Sequence, residues 1–373
     1  MMEYVNLGDV ATYINGYAFK PEQRGKKGLP IIRIQDLNGN SHDLGFFDGE
    51  YPKQVEINAG DILISWSGSL GVYKWNKGKA LLNQHIFKVL FNKIKIDKEY
   101  FCYAMKNSLS VMSQQSHGAT MKHITKKDFD KVLIPYPSLN TQRKIAQKLN
   151  IVTELIVFYE TELSLMEQLI KARFIEMFGD PLDGSAKYPI HQVGEVADTI
   201  DPQPSHRTPP IDESGIPYIS IRDCNYKTGR IDFEGARKVS RKILEEQSKR
   251  YTLHDGDFVI GKIGTIGNPV FIPPRDDYTL SANVVLVQPN NNLVSPYFLK
   301  YSLESGYVDR QFAEAKNSTS QAAFGIQKVR TIKVMNPNLN IQRKFDNFVK
   351  QVDKSRFDIK KSIIELEREV VYD

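Results

Sequence analysis

The sequence predicts an α+β fold: two tandem strand-rich globular heads of one fold, joined by two long antiparallel coiled-coil helices with pseudo-two-fold symmetry. Three observations predict it. Residues 137–144 read PSLNTQRK and residues 337–344 read PNLNIQRK, identical at six of eight positions. Each copy opens a segment in which apolar residues recur at alternating steps of four and three. The stretches ahead of the two copies also align with each other, segment by segment. A repeat of this period sets the architecture before any single element does.

The first head, residues 1–141, reads as short strands punctuated by Gly and Pro turns. Strands are expected at 30–34, 61–65 and 86–90, and a helix at 98–105. The second head, residues 181–341, repeats this order with strands at 217–221, 257–260 and 284–287 and a helix at 296–303. VNLGDVA at 5–11 resembles HQVGEVA at 191–197, and GLPIIRIQDLN at 28–38 resembles GIPYISIRDCN at 215–225. GDILISWSGSLG at 60–71 matches GDFVIGKIGTIG at 256–267, and LNQHI at 82–86 lines up with LSANV at 280–284. The shared positions are mostly apolar, Gly or Pro, as a common scaffold requires. Residues 39–56 and 226–252 do not match. One fold with divergent loops suggests one task carried out on two targets.

The first long helix is expected over 142–180. Its apolar seam is Ile145, Leu149, Val152, Ile156, Tyr159, Leu163, Met166, Ile170 and Met177, the a/d pattern of a supercoiled pair. Pro137 and Pro337 exclude helix upstream, and Asn140 and Asn340 suit N-cap positions. Gly179 followed by Asp180 and Pro181 reads as a helix stop. The second long helix, 342–373, continues the register through Phe345, Val349, Val352, Ile359, Ile363, Leu366 and Val370, with Arg356 interrupting. At 1.5 Å per residue the first helix is roughly 55 Å long. The linker 179–189 spans at most about 36–40 Å. A parallel pair would need the chain to return the whole helix length, so the pair is expected antiparallel. The alternative is two amphipathic helices, each packed only on its own head.

The chain has 373 residues, a formal charge of +6 and two cysteines, Cys102 and Cys224. That length accommodates two domains plus the helices. No run of 18 apolar residues suggests a membrane span, and no signal peptide is apparent. Two cysteines form neither a disulfide framework nor a metal-ligand spacing. A cytoplasmic protein without cofactor or metal is expected. The basic balance permits nucleic acid as a partner but does not specify it.

Catalytic motifs are absent from the sequence. GKIGTIG at 261–267 lacks the phosphate-loop spacing, and Pro269 rules out a following helix, so a tight turn between strands is expected. NPNL at 336–339 lacks the second Pro and the aromatic of amino-methyltransferase motifs. The histidines are scattered, and no Ser/His/Asp set occurs in both halves.

Binding chemistry remains. Arg and Lys neutralise phosphates and read guanine, Asn and Gln read adenine, and Ser and Thr serve either. Lys26, Lys27 and Arg33 in the first head and Arg207 and Arg222 in the second lie in polar loops. Ser67, Ser69, Lys262 and Thr265 decorate the two matching turns. QQSHGATMKHITK at 114–126 supplies His117, Thr120 and Lys122, and KNSTSQAAFGIQK at 316–328 supplies Ser318, Thr319 and Gln321. These are the candidate DNA contacts.

With the paired Pro-x-Leu-x-x-Gln-Arg-Lys helix entries, the RFIEMFGDP segment at 173–181 and the repeated Gly-x-Pro and Gly-Asp patterns, the chain resembles, along its full length, the specificity (S) subunit of type I restriction-modification systems. The resemblance implies two target-recognition domains, each reading one part of a bipartite double-stranded DNA target, with the helices as a ruler. It implies docking of two modification (methyltransferase) subunits and of restriction (nuclease/translocase) subunits, which carry the catalysis this chain lacks. The second head departs by placing Gly261 where the first has Ser65, and Ser281-Ala282-Asn283 where the first has Asn83-Gln84-His85. Arg356 suggests a partner contact within the seam. The competing function is a protein-interaction adaptor with no nucleic-acid role, which a weak salt dependence of binding would favour.

Overall fold

The computed structural model describes residues 3–40, 43–115, 125–205, 207–226, 228–262, 268–317 and 325–372. It divides into two compact units: residues 1–158 with 363–373, and residues 159–362. Each unit holds one head. Strands and helices are mixed in both, and two helices far exceed the rest, Leu139–Phe178 and Leu339–Tyr372.

In the first head, Thr12–Asn15, Ile86–Leu90, Ile62–Ser65 and Gly71–Lys74 form an antiparallel sheet in that order. A second sheet orders Phe46–Phe47, Leu29–Ile32, Ala80–Leu82 and Glu56–Ile57, with Leu29–Ile32 parallel to Ala80–Leu82. The second head repeats the plan. Ala197–Ile200, Val284–Pro289, Phe258–Gly261 and Val270–Phe271 make the four-stranded sheet. Ile216–Ile219 lies antiparallel to Lys238–Val239 and parallel to Thr279–Leu280. The central strands are buried on both faces: Ile62 and Ile64 join one apolar core and Leu63 and Ile86 another, as Phe258 and Ile260 join one and Val259 and Leu286 another in the second head.

The heads diverge where the sequences do. Residues 39–56 end in the edge strand Glu56–Ile57, which satisfies the backbone of Ala80 and Leu81. In the second head the corresponding stretch forms the ribbon Cys224–Asn225 with Arg230–Ile231 and the helix Arg241–Gln247. There a side chain from that helix reaches the backbone of Thr279–Leu280. The Gln247 carboxamide donates to Leu280 O at 2.9 Å and accepts from Leu280 N at 3.3 Å. Buried backbone groups must be paired; the counterpart carbonyl in the first head, Leu82 O, accepts from Tyr17 N at 2.8 Å.

Repeated polar residues also serve the scaffold. Asp36 accepts from the backbone N–H of Arg33 and Asp223 from that of Ser220, each at 2.7 Å. Asp61 and Asp257 accept from Asn58 and His254, each at 2.8 Å. These carboxylates cap turns by taking N–H groups that no strand reaches.

The long helices begin earlier than their sequence suggests. Asn140 and Asn340 lie inside the first turn. The caps are Ser138, whose Oγ accepts from Thr141 N at 3.3 Å, and Asn338, whose Oδ1 accepts from Ile341 N at 3.2 Å. The prolines one residue upstream leave the cap as the first position free to turn into the helix. The expected helix at 98–105 extends over Lys98–Gln115, while Pro296–Leu303 ends as expected. The strand expected at 30–34 is Leu29–Ile32, because Ile34 already starts a helical turn capped by Asp36. Gly179 closes the first long helix with φ +78° and donates to Ile175 O at 2.7 Å. A Cβ there would lie 2.0 Å from Ser185 O, so the stop requires glycine.

Within the second unit the two helical segments run antiparallel. Phe174 and Phe178 pack their rings on Phe345 at 5.5 and 5.6 Å, and the Arg173 guanidinium lies over Phe348. Further along, Glu167 and Arg356 line one groove. Ile170, Phe174, Phe178, Phe345 and Val349 are all part of the second head's core. In the first unit, Ile145 and Ala146 pack on the core of the first head and Leu149 is buried. Val152, Ile156, Leu163, Val352, Ile359 and Ile363 are half-buried, so the seam is the sheltered face of each helix.

Candidate nucleic-acid interface

The two sheets of each head end together at one edge, and this edge gathers several of the predicted residues. In the first head the C-terminal ends of Thr12–Asn15, Leu29–Ile32, Ile62–Ser65 and Ala80–Leu82 lead into residues 16–17, 33–38, 66–70 and 83–85. The bonds Asn83 N to Ile32 O at 3.0 Å, Gln84 N to Tyr17 O at 3.0 Å and Trp66 N to His85 O at 3.2 Å tie these loops to one another. Arg33, Ser67 and Ser69 therefore belong to one neighbourhood. The opposite end of the four-stranded sheet, where Ile86–Leu90 finishes, leads into the helix Lys98–Gln115 and the long-helix entry.

Each of these residues has local work as well. Arg33 donates to the Asp36 carboxylate at 3.0 and 3.3 Å and also to Asp43 O. Ser65, buried beneath the turn, donates to Ser69 O at 2.5 Å, while Gly68 at the tip takes φ +68°. Ser67 is buried and Ser69 is exposed. Lys26 and Lys27 are exposed ahead of Leu29, at the other end of that strand from Arg33.

The second head brings Lys262 and Arg222 to the matching edge. Lys262 is buried and pairs with Asp201 at 2.7 Å. Arg222 is exposed in the turn Ile221–Asp223. Arg207 is exposed in the segment after Ala197–Ile200. His117, Thr120, Lys122, Thr265, Ser318, Thr319 and Gln321 lie outside the described residues.

Lys262 has a counterpart in Trp66. Both follow the same strand, and both reach across the sheet end to the close of the first strand. Trp66 Nε1 donates to Asn15 Oδ1 at 3.2 Å where Lys262 meets Asp201. Trp66 also stacks on Phe87 at 5.5 Å and meets the His85 ring edge-on at 5.0 Å. Equivalent positions thus carry an aromatic bar in one head and an ionic bar in the other. Sequence alignment paired Ser65 with Gly261 but missed these bars, because their partners lie far apart in the chain.

Arg356 sits in the seam, but its partner is internal. It donates to Asp353 at 3.1 Å beside Tyr301 and Lys360, and Lys360 donates to Thr228 O at 3.1 Å. Burial, with Arg356 nearby, lowers the Lys360 pKa. No helix among the described residues is long and apolar enough to cross a membrane.

The profile of the type I restriction modification DNA specificity domain matches residues 1–167 and again 186–368. The chain belongs to this family. Among members of the family, the specificity subunit of the type I restriction enzyme EcoBI from Escherichia coli is 22% identical over 96% of this chain and 81% of its own length. The MjaVIII specificity subunit from Methanocaldococcus jannaschii is 22% identical over 94% of this chain and 86% of its own. The S subunit of the type I system from M. genitalium shares the fold, with a TM-score of 0.53 at 16% identity over 99% of this chain and 94% of that one. A chain from a type I R-M system solved to describe complex assembly and conformational transition superposes with a TM-score of 0.56 at 16% identity, over 99% and 95% of the two chains. As in the family, this chain is a DNA-recognition subunit built from two copies of one domain.

Proposed function

We propose that residues 1–141 and 181–341 are two target-recognition domains, each reading one half of a bipartite double-stranded DNA target. The long helices, 142–180 and 342–373, set the unread spacer between the halves and carry two modification subunits. Those subunits, and the restriction subunits that join them, supply methyl transfer and cleavage in the cytoplasm; this chain supplies recognition without a cofactor. The candidate DNA contacts named above belong to this reading.

The observation that carries it is one topology used twice with different side chains at the same edge. A duplicated scaffold with divergent tips suits two related tasks on one long ligand. A second feature supports partner docking. The central helix exposes Ile151, Leu155 and Phe158 in the first unit and Leu165 and Leu169 in the second, with Phe158 63% and Ile151 62% exposed. These positions follow a second heptad stripe, apart from the sheltered seam. Exposed apolar stripes of this kind mark protein contacts.

The test is an exchange. Residues 1–136 are replaced by the corresponding head of another family member, and the chain is expressed with its modification subunits. Methylated sites in host DNA should change in one half and keep the other. DNA binding by the complex should fall steeply with salt through counterion release. Simultaneous change of both halves, or binding indifferent to salt, would exclude independent reading and favour an adaptor.

A further inference from the structure

In each head the turn between the parallel strand and the next long strand is held by three backbone amides or carbonyls. In the first head the turn is Asn83-Gln84-His85. Asn83 N donates to Ile32 O at 3.0 Å, Gln84 N to Tyr17 O at 3.0 Å, and His85 O accepts from Trp66 N at 3.2 Å. In the second head the turn is Ser281-Ala282-Asn283. Ser281 N donates to Ile219 O and His85's counterpart Asn283 O accepts from Lys262 N, each at 2.8 Å. Ala282 N donates to the Tyr218 hydroxyl at 3.2 Å. Burial raises the pKa of that phenol, which stays neutral.

The first turn is also held in a costly conformation. His85 has φ +70° and is the one non-glycine residue with positive φ among the described residues. Such a backbone persists only where its surroundings over-determine it. Gly16 is part of that support: a Cβ there would lie 1.9 Å from Asn83 O.

Each pinned turn presents one exposed carboxamide, Gln84 in the first head and Asn283 in the second. Neither carboxamide bonds another group among the described residues. The repeated Asp36 and Asp223 at this edge serve the fold as turn caps, unlike the two carboxamides. These two side chains instead point out from rigid backbone. Arg33 and Arg222 stand nearby, at the ends of the strands to which the turns are bonded.

We infer that Gln84 and Asn283 are base-reading residues, each engaging an adenine edge in the major groove of its own half-site. A carboxamide matches the adenine N6 donor and N7 acceptor in one plane. The triple pinning fixes the backbone that carries it before DNA arrives, as precise recognition demands. His85, Trp66 and Lys262 act as positioning residues. The inference rests on the reading of the heads as target-recognition domains.

The test uses the full chain with its modification subunits, in cells, with methylated sites read base by base. Both side chains are exposed, so Gln84→Ala and Asn283→Ala should fold normally, and each should stay within about 0.5 kcal/mol of the parent's stability. Gln84→Ala should lower methylation at parental sites roughly 5- to 150-fold and relax one position of the first half-site only. Asn283→Ala should do the same in the second half-site. Gln84→Arg should shift that position toward guanine. Parental rate and motif in both alanine variants, or relaxation of both halves by one of them, would overturn the assignment. Absence of any bipartite methylation by the parent complex would instead defeat the underlying reading.

Discussion

The Gln342 amide oxygen accepts the backbone N–H of Ser295 at 2.6 Å, and its Nε2 donates to Pro337 O at 2.7 Å. In the first unit Gln142 does the same with Asp97 N and Pro137 O, both at 2.9 Å. Both glutamines are fully buried. The repeated glutamine is a latch that ties the first turn of each long helix to the N-terminus of a helix in its head. Removing one partner of a buried hydrogen bond costs about 1–3 kcal/mol. Gln142→Ala and Gln342→Ala should each lower stability by about that amount. Gln342→Ala should cost more, since its Nε2 also reaches Asn336 Oδ1 at 3.0 Å. Denaturant unfolding of the two variants checks this, and unchanged midpoints would reject the latch.

Asp346 makes the second unit sensitive to pH. Its carboxylate accepts from the Ser295 hydroxyl, and burial raises its pKa above the ordinary carboxylate value despite that bond. A group whose folded pKa is raised gives most stability below its unfolded pKa. That stability is lost as pH rises through the folded value. Asp346→Asn keeps an acceptor for Ser295 and removes the charge. The variant should therefore be the more stable protein at neutral pH, with the advantage shrinking on acidification. Thermal melts across the acidic range read this directly; a parent more stable than the variant at neutral pH would show that the charge is favourable there.

The seam should govern assembly rather than base choice. Leu149 is buried in the first unit, and Val352 packs against the core of the second. A charge at either place must be desolvated without a partner. Leu149→Glu and Val352→Glu should weaken recovery of the modification-subunit complex or broaden the spacer. The half-site bases should stay the same. Co-purification and methylation mapping distinguish these outcomes from an unaltered complex.

Helix length should set the spacer. Four residues inserted near 160–162 add about 6 Å of rise and turn the following segment by approximately 400°. Relative to a DNA repeat of about 34–36 Å per 10–10.5 base pairs, this is roughly two base pairs. Methylated sites should keep both half-site sequences with a spacer one or two base pairs longer. New bases at an unchanged spacing would refute the ruler.

The repeat, the heptad seams and the alternation of Gly and apolar residues were sufficient to derive two heads of one fold and two long helices. Period and composition are local properties, and they survive divergence of the loops. Asn140 and Asn340, the N-cap candidates of the sequence, lie two residues past the caps Ser138 and Asn338, because proline position alone does not say which polar neighbour turns toward the first amides. Gln142, Gln342, Asp36 and Asp223 stand in repeated motifs that by themselves assign them no role. Repetition is the signal the sequence offers; Asp97 and Ser295, the partners of the glutamines, lie tens of residues away, and the local turns that Asp36 and Asp223 cap show only in the backbone.

Only the tertiary structure decided which polar side chains are spent on the fold. Gln247 bonded to the Leu280 backbone and Lys262 drawn inward to Asp201 are residues whose sequence surroundings look like solvated, ligand-ready segments. What distinguishes them from Gln84 and Asn283 is whether a backbone group or opposite charge happens to lie within hydrogen-bond reach. That distance is fixed by how strands from remote parts of the chain meet at one edge. Sequence periodicity determines that such an edge exists, and packing decides which side chains remain free to face a partner.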